Sequence, residues 1–128
     1  MKKESKEWFK IAFEDLKAAK CLYKEGLYRM VCYHSQQVVE KGLKAILNEH
    51  QIDFKKTHNI IDLMNKVISF GYDVKLSDED VVFLNSIYRV RYPGDTGLLP
   101  YSEPDKDDAN KALNIADNFL IIIKSIFT

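Results

Sequence analysis

Apolar residues recur at intervals of three and four along nearly the whole chain, which is the spacing of one buried helix face. No stretch alternates apolar and polar residues as a half-buried strand would. The pattern divides into five segments, so we predict helices over about 5–23, 27–49, 60–71, 77–88 and 105–127. Because short loops make neighbouring helices antiparallel, the sequence predicts an all-α antiparallel bundle of about five helices.

Turn and capping residues mark the ends of these helices. Gly26 ends the first helix, and the third has two candidate N-caps, Thr57 and Asn59. Prolines and glycines between positions 93 and 104 predict a loop before the last helix. No linker or repeat interrupts the chain, so residues 1–128 are predicted to form one domain.

One face of the second helix consists of small or branched residues. Small side chains in a row allow another helix to approach closely, so we predict that this face points inward and packs against a neighbour. The residues of this inner face are Val31, Ser35, Val38, Gly42 and Ala45.

The second helix also carries many polar side chains. His34, Gln37, Lys41 and Lys44 recur every three or four residues and share one face, and Glu40 stands four residues before Lys44. One interpretation is a solvated helix face on which His34 packs locally. The other is a polar groove in which His34 and the lysines contact a ligand. The pattern alone leaves both interpretations open.

Two arginines and a tyrosine follow the apolar part of the fourth helix. Arg89 and Arg91 suit contacts to phosphate, and Tyr92 suits stacking on a base or a peptide plane. The alternative is structural, because cations at a helix C-terminus stabilise its dipole and a tyrosine anchors the following loop. The acidic residues between 105 and 108 could equally pair with the arginines.

Composition narrows the functional classes. The chain has 19 basic and 19 acidic residues, whereas tight sequence-independent binding to nucleic acid usually needs a basic excess, and nothing indicates DNA in particular. Cys21 and Cys32 are the only cysteines and form no metal motif, so we expect neither a metal nor a cofactor. The longest apolar run, 119–123, is too short to span a bilayer, and no signal peptide is evident, which predicts a cytoplasmic protein.

Several short motifs, in their order along the chain, resemble the HEPN family of small helical bundle domains. The most specific covers 31–45 on the second helix and begins Val-Cys-Tyr-His-Ser-Gln-Gln. The others are Ala-Phe-Glu-Asp-Leu-Lys-Ala-Ala at 12–19, Gly-Leu-Tyr at 26–28, Thr-His-Asn-Ile at 57–60 and Arg-Tyr-Pro at 91–93. Together these motifs span nearly the whole chain.

The resemblance implies an up-down bundle like that of nucleotidyltransferase substrate-binding subunits, paired as a two-fold homodimer. Members often work beside a small nucleotidyltransferase encoded next to them, frequently as a toxin–antitoxin pair. Many other members are RNases that need no metal and use an Arg-x(4–6)-His motif near the last helix. No histidine follows His58 here, so Arg89 and Arg91 lack that partner. Arg29 and His34 fit the motif by count, but five helical residues leave two side chains about 140° apart.

Three functional hypotheses follow from these observations. The leading one is a non-catalytic or weakly catalytic domain that homodimerises and binds a nucleotide, an RNA or a partner nucleotidyltransferase through His34, Gln37, Lys41, Arg89, Arg91 and Tyr92. The second is a metal-independent RNase, with His34 as general acid–base and Arg91 stabilising the charged phosphate. The third is a purely structural interaction module that uses the apolar end of the last helix.

Overall fold

The structure, a computed structural model, describes residues 1–54, 57–90 and 103–127, and side chains are not described at 87–90. No strand occurs within these ranges. The predicted all-α bundle of about five helices is therefore confirmed, with boundaries that differ from the predicted ones by only part of a helical turn. The helices are α1 (Lys3–Lys24), α2 (Tyr28–Glu49), α3 (Ile60–Ser69), α4 (Asp78–Val90) and α5 (Lys106–Phe127).

α2 is the central helix, and each of the other four packs against it. Its predicted inner face is confirmed, because all five residues of that face are buried. Burial continues well beyond this face and includes several polar side chains, so α2 has no broad solvated side. A helix covered on most sides must satisfy its polar groups internally, which determines the chemistry described below.

α1 runs antiparallel to α2, and two side-chain hydrogen bonds fix their register. Near one end, Asn48 Nδ2 donates to Ser5 Oγ at 2.9 Å. Further along, His34 Nδ1 lies 2.8 Å from Asp15 Oδ1. Residue numbers rise along α1 as they fall along α2, so the two bonds together define both the direction and the alignment of the pair.

Local backbone chemistry explains where these helices begin and end. Gly26 has φ of +74°, a left-handed conformation that glycine adopts without strain, and it terminates α1 as predicted. Asn59 Oδ1 accepts a hydrogen bond from the backbone N–H of Ile61 at 2.9 Å and is the N-cap of α3. Of the two candidate caps, Asn59 is therefore correct and Thr57 is wrong.

α5 begins with a reciprocal cap between two aspartates. Asp105 Oδ1 accepts from the backbone N–H of Asp108 at 2.9 Å, and Asp108 Oδ2 accepts from the backbone N–H of Asp105 at 3.1 Å. This pair is the aspartate version of a capping box. The alternative pairing of these acids with Arg89 and Arg91 involves side chains outside the described part of the chain, and it stays a prediction.

The apolar end of α5 has a buried side and an exposed side. Phe119, Leu120 and Ile123 are buried in the core, whereas Ile121 is 62% exposed. The two-fold pairing that the resemblance implies stays a prediction, as does the assignment of the whole chain to one domain. No helix in the described ranges combines the length and apolar character that crossing a membrane requires.

α2 and α5 approach each other closely at Gly42, the glycine of the predicted inner face. A Cβ at this position would lie 2.5 Å from Cε2 of Phe119, and contacts under 3.0 Å are essentially never adopted by a real Cβ. The Phe119 ring is 1% exposed and enclosed by the core, so it cannot move aside freely. Glycine at position 42 is therefore a packing requirement.

We expect Gly42→Ala to destabilise the protein even though alanine is the better helix former. Overpacking costs about 1–3 kcal/mol, and about 1 kcal/mol of helix propensity offsets part of this. Urea denaturation should therefore give a net loss of about 1 kcal/mol in the free energy of unfolding. In a double-mutant cycle with Phe119→Leu, the combined loss should be smaller than the sum of the single losses. Strict additivity would contradict the proposed clash.

The two cysteines differ sharply in environment. Cys32 is fully buried, and burial, with a smaller contribution from the charges of Asp108 and Asp105, raises the pKa of its thiol to about 12. Cys21 is exposed. Thiolates rather than thiols react with alkylating agents and disulfide reagents.

We expect one of the two thiols to react in the native protein at pH 8. Because Cys32 is buried and its pKa is raised, only Cys21 should react with a disulfide reagent, and both should react in denaturant. Cys21→Ser should abolish the native reaction, whereas Cys32→Ala should leave it intact. Rapid native labelling of the Cys21→Ser protein would contradict the buried environment of Cys32.

Candidate functional site

A chain of side-chain hydrogen bonds runs along α2 through five polar residues. Lys41 Nζ donates to Gln37 Oε1 at 2.8 Å, and Gln37 Nε2 donates to Gln36 Oε1 at 2.6 Å. Gln36 Nε2 donates to Glu40 Oε1 at 3.3 Å, and Lys44 Nζ donates to Glu40 Oε2 at 3.1 Å. We call these five residues the α2 polar chain.

Helical spacing explains how the α2 polar chain forms. Three of its four bonds join residues four apart, which are neighbours on a helix surface. The fourth joins the adjacent residues Gln36 and Gln37, so it links two neighbouring faces. Each glutamine accepts one bond through its carbonyl oxygen and donates one through its amide nitrogen, which makes the chain continuous.

Most of the α2 polar chain is shielded from water. Gln36 is fully buried, Glu40 is 2% exposed and Lys44 is 3% exposed, whereas Lys41 is only partly buried. The interpretation of this helix face as solvated is therefore wrong for Gln37 and Lys44. The reason is that other segments pack against α2, including Trp8 of α1 and Phe54 of the loop before α3 beside Lys44, which a pattern within α2 cannot reveal.

The Lys44 ammonium lies among aromatic rings as well as beside Glu40. Its Nζ is 5.5 Å from the Trp8 ring centroid and 6.0 Å from that of Phe54. The two rings meet edge to face at a centroid distance of 5.6 Å. Cation–π attraction adds to the ion pair in such a desolvated place, so the positive charge is compensated from two directions.

His58 connects the buried carboxylate to the surface. Its Nδ1 lies 3.5 Å from Glu40 Oε2, and its side chain is 54% exposed while that of Glu40 is 3% exposed. His58 had no predicted role beyond its place in the Thr-His-Asn-Ile motif, so this contact was missed. The contact bridges the loop before α3 and the middle of α2, and no spacing rule relates those two positions.

His34 belongs to a separate pair with Asp15 of α1. His34 Nδ1 lies 2.8 Å from Asp15 Oδ1, and the two side chains are 23% and 16% exposed. When a carboxylate accepts the Nδ1 proton of a neutral imidazole, Nε2 is left as the acceptor and can act as a base. The Tyr33 ring lies edge-on to the imidazole at a centroid distance of 5.1 Å.

The structure accounts for part of the predicted site. Gln37 and Lys41 are joined directly by a hydrogen bond, as their shared face suggested. His34 is bonded to Asp15 on α1, and Asp15 was not predicted. The Arg89 side chain, Arg91 and Tyr92 lie outside the described side chains, so their predicted roles stay predictions.

Gln36 was also missed as a member of the site. Its spacing of four residues from Glu40 is a usable signal in the sequence. Asp15 offered no comparable signal, because its partner lies on another helix.

The chemistry available here is hydrogen bonding, charge pairing and proton transfer at a histidine. Within the described ranges, no group of three or more histidine, cysteine, aspartate or glutamate side chains is arranged to hold a metal ion. The Arg29 guanidinium pairs with Glu103, and His34 pairs with Asp15. These different partners agree with treating the Arg29 and His34 match to the RNase motif as a coincidence.

The family is established by comparison with known proteins. The sequence model of the HEPN domain matches residues 5–126, which is nearly the whole chain. This chain therefore belongs to the HEPN domain family. It is 35% identical over 136 residues to the protein named "Putative toxin MJ1304" of Methanocaldococcus jannaschii, an alignment that covers 95% of this chain and 87% of the relative.

Solved structures agree with this assignment. ST0689, titled an archaeal HEPN homologue, is 27% identical with a TM-score of 0.70 over the full length of both chains. TT1696 from Thermus thermophilus is 22% identical with a TM-score of 0.78, covering 97% of this chain and 98% of the other. An HEPN domain protein of Thermotoga maritima, TM0613, is 20% identical with a TM-score of 0.69, covering 94% and 97%. The last two similarities concern the fold alone.

We expect removal of the buried Lys44 charge to be strongly destabilising. Lys44→Met leaves the Glu40 carboxylate buried without its cation, which costs about 3–5 kcal/mol of unfolding free energy. Replacing both residues, as in Glu40→Met with Lys44→Met, should recover most of this loss because no uncompensated charge remains. Chemical denaturation monitored by circular dichroism measures both effects.

Lys20→Met is the matched control for this substitution. Lys20 pairs with Asp117 at 3.3 Å, but the two side chains are 51% and 41% exposed. An exposed pair contributes less than about 1 kcal/mol, so the control should change stability little. Equal losses for the two lysine substitutions would contradict the importance of the buried ion pair.

Proposed function

We propose that this protein is the HEPN component of a toxin–antitoxin pair and acts by binding a nucleotide, an RNA or a small nucleotidyltransferase as a homodimer. The toxin name carried by the archaeal relative supports the toxin–antitoxin part. Binding is assigned to the partly exposed side chains of His34 and Lys41 on α2, with Gln37 holding Lys41, together with the segment after α4. The cytoplasmic location and the two-fold pairing are part of the same proposal.

The observation that carries the binding proposal is the partly exposed ammonium at the end of the α2 polar chain. Lys41 Nζ is held by Gln37, whose amide is held in turn by Gln36. A lysine fixed in this way has already lost much of its rotamer freedom, so binding an anion costs it less entropy. Phosphate groups and carboxylates are the anions that such an ammonium recognises.

The remaining predicted residues complete this binding site in the proposal. Arg89 and Arg91 supply planar guanidinium groups that hold a phosphate by two hydrogen bonds. Tyr92 stacks on a base or a peptide plane. His34 contributes its Nε2, because Asp15 is bonded to the other ring nitrogen.

The Asp15 and His34 pair is the specific observation that favours the alternative, a metal-independent RNase. An imidazole oriented by a carboxylate is suited to act as a general base. In that alternative, Arg91 stabilises the negative charge that develops on phosphate. The absence of the Arg-x(4–6)-His motif near the last helix favours binding over cleavage.

The test uses purified protein in EDTA with a mixed panel of structured and unstructured RNAs, followed for both retention and cleavage. We expect the protein to retain RNA without cleaving it. Lys41→Gln and Arg91→Ala should each weaken retention about tenfold while leaving the thermal midpoint nearly unchanged, since each removes a charged hydrogen bond to phosphate. Lys20→Gln, on the exposed side of α1, is the control and should bind normally.

Two outcomes would change the assignment. RNA cleavage that is lost in both His34→Ala and Arg91→Ala would establish the RNase instead. Unchanged binding in every variant would favour the structural interaction module. The same samples examined by light scattering report whether the protein pairs with itself.

A further inference from the structure

The outward side of α1 carries a line of exposed lysines with an aromatic ring beside it. At about 100° per helical residue, the four lysines lie within an arc of about 40°, and the ring lies about 20° beyond its edge. All five side chains are exposed, and the exposed fraction of the ring is 50%. We call this set the α1 basic stripe, and its members are Lys6, Lys10, Phe13, Lys17 and Lys24.

The lysines of the α1 basic stripe are available to an external anion. Among the residues that the structure describes, none of the four forms an ion pair. Lys20 is also exposed on α1, but it is paired with Asp117 at 3.3 Å and is not counted in the stripe. The whole chain has no basic excess, so binding to a polyanion needs a local concentration of positive charge, and the stripe supplies one.

The acidic residues of α1 are separated from the ring by the lysines. Measured around the helix from Lys10, Glu7 and Glu14 lie about 60° and 40° away in one direction. Phe13 lies about 60° away in the opposite direction. A polyanion that lies along the ring therefore contacts the lysines and keeps them between itself and the carboxylates, so attraction exceeds repulsion there.

The α1 basic stripe is long enough to contact several phosphates. From Lys6 to Lys24 the helix rises about 27 Å, at about 1.5 Å per residue. Lys10 and Lys17 lie three and four residues from Phe13, so each is about one turn from the ring on either side. Proteins bind single-stranded nucleic acids through this combination, in which basic side chains contact the phosphates and an aromatic ring stacks on a base.

The exposed ring favours a single strand over other polyanions. Bases of a single strand have faces that can stack on an aromatic side chain, whereas the bases of a duplex are stacked on one another. A carboxylate-rich peptide pairs with lysines but has no base for Phe13. An anionic membrane takes up helices with a broad exposed apolar face, and the apolar face of α1, which includes Ala12 and Leu16, is buried in the core.

We propose that the α1 basic stripe binds single-stranded nucleic acid, with the lysines on its phosphates and one base stacked on Phe13. Contacts of these two kinds do not distinguish one base from another, so the stripe accepts many sequences. The stripe is a second surface, and it shares no residue with the site proposed around His34 and Lys41. The proposal therefore goes beyond the proposed function and does not depend on it.

The test measures binding of a fluorescent ten-nucleotide oligouridylate to the full-length protein by anisotropy at several salt concentrations. Lys10→Gln with Lys17→Gln should weaken binding about tenfold at low salt. It should also make the slope of log K against log salt concentration less steep by about 1.4, because each phosphate contact of a single strand contributes about 0.7. Lys75→Gln with Lys111→Gln changes the net charge equally, lies away from α1 and should bind like the unaltered protein.

A ring substitution and an abasic probe separate stacking from charge attraction. Phe13→Leu keeps an exposed apolar side chain and should weaken binding of the oligouridylate about tenfold, because one stacked base is lost. The same sugar–phosphate backbone without bases should bind Phe13→Leu and the unaltered protein equally. Phe70→Leu is the control, because it replaces an exposed ring next to the end of α3 and should leave binding of the oligouridylate unchanged.

Several results would overturn the proposal. They are a failure of the unaltered protein to bind the oligouridylate, equal binding of the abasic probe, and tighter binding of a polyglutamate peptide or of phosphatidylserine vesicles.

Variants of the other proposed site show which surface is responsible. Loss of binding in Lys41→Gln and Arg91→Ala, with normal binding in the α1 variants, would contradict the α1 basic stripe and leave the proposed function standing. The reverse pattern would support the α1 basic stripe and contradict the site on α2. Losses in both sets would support both surfaces, provided that the thermal midpoints are unchanged.

Discussion

The structure depends on keeping two opposite charges, on Glu40 and Lys44, inside a helical bundle. Charges taken from water are costly unless hydrogen bonds and a counter-charge replace the lost hydration. Here Gln36 bonds to the carboxylate, and the rings of Trp8 and Phe54 surround the ammonium. α1 and the loop before α3 must therefore keep their positions against α2, because both supply parts of this enclosure.

Much of the helical architecture could be predicted from the sequence because it follows from local rules. Apolar spacing predicted all five helices, and Gly26 predicted the end of α1. The choice between Thr57 and Asn59 needed the structure, because both are good caps and only backbone geometry decides which side chain reaches a free N–H. The covered state of the polar α2 face could not be predicted from that helix alone, because the cover comes from other segments.

The candidate site shows the same division between local and long-range information. The bond between Gln37 and Lys41 follows from their spacing within one helix. The contacts of His34 with Asp15 and of His58 with Glu40 join segments 19 and 18 residues apart. They depend on how the helices align with one another, and the spacing of residues in a single sequence does not specify that alignment. Family resemblance supplied the fold correctly but did not identify these partners.

The contact between Gly42 and Phe119 has a mechanical consequence for the position of α5 against α2. The Phe119 ring fits against α2 because Gly42 has no side chain. Sliding α5 along α2 would press the ring against larger side chains of α2, so the contact opposes such a movement. Phe119 also lines a cleft between α5 and the start of α4. The position of α5 along α2 is therefore tied to this ring, so a movement of Phe119 would also disturb the helix that carries the α2 polar chain.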